Sequence, residues 1–252
     1  MSNNTENRSR ALAEVVAIDA WHDAFDQNIS KVDLYVDVEF ETGRIGGEAE
    51  SSVRFRLNIS QADLVVVIPD SEPLGIEKRS VSRDSPPMMS TISNEIELSA
   101  DATMSIARIG EADKLDYPFF VTQSKTSDGH YRWILRPSQG QVLQGRPWNP
   151  DAMPRMKIFD KRKNRRRGIP PVARVEVRCR REDIKISDIE WKDNSLWEIA
   201  KSRAGFRNKL AAAEAYIRDR LAKENLPQNN FNDSFGDITL ASVIAEPQGA
   251  DR

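Results

Sequence analysis

Hydrophobic and polar positions alternate strictly from Val32 to Glu41. Val32, Leu34, Val36, Val38 and Phe40 alternate with Asp33, Tyr35, Asp37, Glu39 and Glu41. A period of two predicts a half-buried strand with an acidic outer face. Gly43, Gly46 and Gly47 then predict a turn. The alternation resumes at Val53, Phe55, Leu57 and Ile59, with Arg54, Arg56 and Asn58 outside. The acidic and basic outer faces are expected to pair across neighbouring strands. Residues 64–68 form a continuous apolar run ended by Pro69, which reads as a buried strand. Upstream, Val15, Val16, Ile18 and Trp21 suit either a strand or a short helix.

The second half adds punctuation and one change of period. Residues 70–91 read as loop, and 92–109 as one or two loosely alternating strands. Residues 119–121 and 131–135 flank Ser127-Asp128-Gly129, a hairpin signal. Four prolines and two glycines in residues 137–154 predict a long loop, a point at which the domain could subdivide. Strands follow at 156–159 and 172–179, with a further one through Ile184, Ile186, Ile189 and Trp191. Phe206, Leu210, Ala213, Ile217 and Leu221 then step by three and four, and Ser195 and Glu198 have capping-box spacing. Residues 195–225 therefore read as a helix that packs on its own sheet or on a partner. Residues 238–244 read as a last strand.

The expected architecture is mainly β (α+β). It comprises an antiparallel β-sandwich or barrel-like core, a basic β-hairpin arm and a long C-terminal helix. Residues 1–10 are expected to be disordered, 11–194 to form the β domain, 195–226 the helix, and 227–252 a strand and tail.

Charge changes this picture. The 252 residues sum to -2, with Lys+Arg 37 and Asp+Glu 39. Residues 155–181 alone hold 12 basic and 2 acidic side chains. Within them, Lys161, Arg162, Lys163, Arg165, Arg166 and Arg167 lie between two expected strands, the position of a hairpin tip. Arg174 and Arg178 extend the charge along the returning strand. Arginine suits bidentate phosphate or guanine contacts, and a β-ribbon suits a duplex groove. Trp148, Phe159 and Tyr131 are candidates for stacking on a single strand. A solvated tip, or a dock onto the acidic strands at 33–50, explains the same run.

Other chemistry finds little support. Two histidines, His22 and His130, leave little room for zinc or histidine-centred catalysis. His130 fits a structural turn residue, and His22 a surface or capping residue. Asp183, Glu190 and Lys192, with Asp151 upstream, have the residue types of a metal-dependent nuclease, but acid-x-lysine spacing is common in charged chains. The one cysteine, Cys179, falls on an apolar strand face and excludes an internal disulfide. No run approaches the roughly 18 apolar residues of a membrane helix, and no secretory signal is expected.

The leading expectation is a non-enzymatic, cytoplasmic protein that binds DNA or RNA through phosphate neutralisation, without a cofactor or metal. The rival is a structural or adaptor protein. It would assemble with itself or a partner through acidic-sheet to basic-arm contacts, or dock a partner through the 195–225 helix. A carboxylate-based nuclease stands third.

Overall fold

The computed structural model describes residues 8–10, 12–47, 51, 53–83, 119–163, 171–191, 203–224, 226, 233 and 236–248. Strand β1 (Arg8–Arg10) is followed by β2 (Val16–Asp23), β3 (Lys31–Phe40), β4 (Gly43–Gly46), β5 (Val53–Ile59), β6 (Ala62–Val67) and β7 (Leu74–Ile76). After residues 84–118 come β8 (Phe119–Lys125), β9 (Tyr131–Pro137), β10 (Met156–Asp160), β11 (Arg174–Arg180) and β12 (Ile184–Trp191). Helix α1 (Arg203–Lys223) precedes β13 (Asp237–Ile244) and β14 (Glu246–Gln248). The strands expected at 92–109 and the capping pair Ser195 and Glu198 lie outside the described residues.

These strands form three sheets, ordered β1-β13-β11-β6-β9-β8, β14-β2-β3-β10-β7 and β12-β5-β4. All pairings are antiparallel except β14 with β2. Among the described residues no sheet closes on itself, so they form no closed barrel. Period-two patterning produces the core directly. The apolar members of β2, β3, β5, β6, β9 and β11 are buried in one continuous cluster. Phe40 of β3 meets Phe119 of β8 with ring centroids 5.9 Å apart, which joins the five-stranded sheet to the six-stranded one.

The Pro-rich segment before β10 belongs to the same interior. Leu143 and Trp148 are buried, and the Trp148 indole N–H donates to the Val36 carbonyl at 2.7 Å. Arg155 lies buried beside it, its guanidinium 4.1 Å from the Trp148 ring centroid and 5.8 Å from that of Trp133. Burial lowers its pKa to about 10. Trp148 thus plugs the core beneath its loop.

Helix α1 packs on the chain's own sheet. Ala213, Ile217 and Leu221 are buried, and the Tyr216 ring meets Phe55 of β5 edge-on at 6.1 Å. Arg181–Glu214 and Arg220–Glu14 ion pairs fasten its flanks.

Several expectations give way to this topology. Residues 8–10, within the stretch expected to be disordered, pair with β13. The glycines at 43–46 form a strand rather than a turn. Gly46 has φ +82, and a Cβ there would come within 2.2 Å of the Val53 carbonyl oxygen, so glycine is required by close backbone approach. The acidic strand β3 and the basic strand β5 are not neighbours. Arg56 of β5 and Arg44 of β4 instead reach carboxylates of β12, through Arg56–Asp188 at 3.4 Å and Arg44–Glu190 at 3.3 Å. His22 is buried rather than superficial, and burial lowers its pKa.

The basic β-hairpin arm is also corrected. β10 pairs with β3 and β7, whereas β11 pairs with β13 and β6. Each strand already has a neighbour on both sides, so the two cannot form a ribbon. The basic run is a connection between two sheets.

Candidate nucleic-acid interface

Both feet of this connection are held by one short segment. The Lys161 amide donates to the Pro73 carbonyl at 2.8 Å, and the Val172 amide donates to a Glu72 carboxylate oxygen at 3.0 Å. Leu74 pairs with Asp160. The chain therefore leaves and returns beside the same few residues. Arg165, Arg166 and Arg167 themselves lie outside the described residues.

Of the six cations named at the tip, the three described ones divide into different roles. Arg162 grips Asp160, whose side chain is fully buried. Its Nε lies 3.0 Å from both carboxylate oxygens, and Nη2 lies 2.7 Å from Oδ2. Hydrogen bonding to Asp160 raises the Arg162 pKa further. Such a charge-assisted fork anchors the loop from inside. Lys161 and Lys163 are exposed and form no ion pair among the described residues.

Arg174 and Arg178 stand on β11 with one carboxylate between them. Glu176 is buried and accepts from Arg174 at 2.7 Å and from Arg178 at 2.7 and 2.8 Å. One carboxylate shared by two guanidiniums leaves a net positive charge. It also fixes both forks, each of which carries five N–H donors.

Register extends this charge across the sheet. Arg178 lies opposite Asp63 of β6, and Glu176 opposite Val65. Val65 in turn lies opposite Arg132 of β9, and Arg136 opposite Phe120 of β8. All these side chains share the outer face, because Val175, Val177, Leu64 and Trp133 fill the core on the other. Arg132 donates to Asp63 at 3.0 Å, and Arg136 to Gln61 at 2.8 Å. Burial raises the Asp63 pKa, opposed by Arg132. Arg180 continues the row and lies 3.5 Å from Glu182. The face thus joins five arginines to four carboxylates, Asp63, Glu176, Glu182 and Asp237, the last directly opposite Arg180. Arg132 and Arg136 lie far outside the basic run in sequence. Only the strand register assembles them with it.

The nuclease residues do not come together. Asp183 takes part in the turn between β11 and β12, accepting from the Ser60 hydroxyl at 3.2 Å and the Arg180 amide at 3.3 Å. Glu190 pairs with Arg44 on the three-stranded sheet. Lys192 lies outside the described residues. Among the described residues, no group of three or more His, Cys, Asp and Glu side chains is arranged to hold a metal ion. Cys179 is buried, and burial pushes its thiol pKa well up, so it is packed as a core residue. Of the aromatics named for stacking, Trp148 is buried, and Phe159 lies over Gly75 on the five-stranded sheet. Tyr131 stands at the hairpin end of β9 with the Lys125 ammonium 4.7 Å from its ring centroid.

No family pattern matches this chain, and no curated protein matches it either. The functional reading rests on the geometry.

Proposed function

We propose that the chain is a non-enzymatic, cytoplasmic nucleic-acid-binding protein of low sequence specificity, built on a sandwich-like β scaffold. Its interface is the outer face of the six-stranded sheet together with the basic connection at 161–173. One observation carries the reading. Register draws Arg132, Arg136, Arg174, Arg178 and Arg180 onto one face, on the sheet whose strand β11 receives the basic connection. Phosphate contacts made by arginine position a polyanion without reading its bases.

The test is fluorescence anisotropy with short oligonucleotides across a salt series. Each neutralised phosphate contributes about 0.9 to the log–log salt slope for duplex DNA and about 0.7 for a single strand. Micromolar or tighter binding is expected, with a slope that flattens in Arg165→Ala/Arg166→Ala/Arg167→Ala. Absence of binding at low salt overturns the proposal.

A second reading, self-assembly, draws on the outer face of β2 and β3. Asp19 lies directly opposite Asp37 there, with Asp33 and Glu39 nearby. Like charges placed opposite one another invite a cationic partner. Arg146 already reaches both Asp37 and Glu39 at 3.0 Å, and Lys157 reaches Asp33 at 3.1 Å, so this face is partly neutralised within the chain. Salt-sensitive, concentration-dependent mass in light scattering without nucleic acid would favour assembly.

A further inference from the structure

We infer that the nucleic acid held on this face is single-stranded, with a base stacked on Phe120; the inference rests on the nucleic-acid reading above. Three observations lead there. First, β10 and β11 belong to different sheets, so the fold offers no two-stranded ribbon from this pair to enter a duplex groove. The arginines lie on a sheet face instead. A sheet face carrying aromatics is a recurrent platform for splayed bases, whereas stacked bases inside a duplex cannot reach it.

Second, Phe120 is 43% exposed and, with Ile29, is one of two large hydrophobic side chains left exposed among the described residues. It is not a stray surface residue on a polar loop. It sits on β8, the outermost strand of this sheet among the described residues, on the same face as the arginines and directly opposite Arg136. Third, Arg136, the cross-strand neighbour of Phe120, donates to Gln61 beside β6 at 2.8 Å, which holds its guanidinium on this face. A fixed cation next to an exposed aromatic suits a base and its own phosphate together. From β8 the strand order runs through β9 and β6 to β11, roughly 14 Å at ordinary strand spacing. A chain stacked at Phe120 would meet Arg136 directly and then run roughly 13 Å along β9 to Arg132, which lies in line with Glu176 and the Arg174–Arg178 pair.

The experiment compares labelled single-stranded and duplex oligonucleotides of equal length at low salt, using wild type, Phe120→Ala and Phe120→Tyr. Phe120 is exposed, so folding is expected to survive both substitutions, and circular dichroism checks this. The wild type is expected to prefer the single strand. Phe120→Ala should weaken single-strand binding roughly five- to a hundredfold, leave duplex binding unchanged, and lose nothing when tyrosine restores the ring. Equal or tighter duplex binding, or single-strand affinity unchanged in Phe120→Ala, overturns the stacking inference while leaving the nucleic-acid reading intact. Failure of the wild type to bind either oligonucleotide overturns both.

Discussion

Arg162 was expected to contact a ligand, yet it grips a buried carboxylate as an anchor does, and the two roles predict different consequences of removing it. Arg162→Ala takes away the guanidinium that spans both oxygens of Asp160, a carboxylate with 0% of its side chain exposed. Breaking a buried pair from one side costs about 3–5 kcal/mol, because the remaining charge stays in a poorly solvated place. Arg162 itself is 21% exposed, and the backbone amide of residue 162 still donates to Asp160 at 2.9 Å, so the lower end applies, about 3 kcal/mol. For a chain of this size, each kcal/mol shifts Tm by roughly 2–4 °C, giving a fall of about 6–12 °C. Urea denaturation followed by tryptophan fluorescence measures the loss. Lys163→Ala, one residue on and exposed, is expected to stay within about 0.5 kcal/mol of wild type. Asp160→Asn combined with Arg162→Ala is expected to be more stable than Arg162→Ala alone, because the second change removes the buried charge. Equal stability of Arg162→Ala and Lys163→Ala would refute the anchor and return Arg162 to the ligand-contacting set.

Three further outcomes follow from the packing. Ile217→Ala in α1 should cost about 2–5 kcal/mol in chemical denaturation, because Ile217 is fully buried; a near-neutral result would mean the helix does not pack on its own sheet. Gly75→Ala places a Cβ 2.2 Å from the Phe159 ring and should cost about 1–3 kcal/mol, and Phe159→Ala in the same chain should relieve most of that loss; persistence of the full cost would locate the strain elsewhere. For His22, burial lowers the folded pKa below the unfolded value near 6.5, so the unfolded state takes up the proton more readily. Its contribution to stability is therefore lost as pH falls below about 6.5, and His22→Phe should flatten the stability profile between pH 7 and 5; an unchanged profile would show that other groups set it.

The sequence made the strands legible but not their neighbours. Alternation at 32–41 and 53–59 identified β3 and β5 and their buried faces, because side-chain period is a local property. It could not show that these strands sit in different sheets, since pairing depends on contacts between segments distant in the chain. The same gap produced the hairpin arm. Two strands joined by thirteen residues read as a ribbon until β10 and β11 prove to be taken by other partners. Where a turn was tightly coded, the reading carried through: the Ser127-Asp128-Gly129 signal gives the β8–β9 hairpin, with Gly129 at φ +82. His22 was misplaced because a polar residue in an ambiguous segment carries no sign of burial. The helix stripe at 213, 217 and 221 showed which face was apolar, but only the contact with Phe55 showed what covered it.

The charge run teaches the same lesson in electrostatic terms. Read along the chain, residues 155–181 form one concentrated cationic patch. In the fold, Arg155 goes into the core between two indoles, Lys157 to Asp33, Arg162 to Asp160, and Arg181 to Glu214. These cations are spread among different elements, three of them bound to carboxylates and Arg155 to the indoles, so their sum overstates what a ligand would meet. The opposite correction comes from β9, where Arg132 and Arg136 carry no weight in a local charge count but stand on the same face as Arg174 and Arg178. A polyanion responds to charges within about a Debye length, roughly 8 Å at physiological salt, and that distance is measured through space. The sheet register, rather than the sequence run, therefore decides which arginines act together. Alanine substitution at Arg132 and Arg136 should consequently reduce the salt slope of binding as surely as substitution within the basic connection.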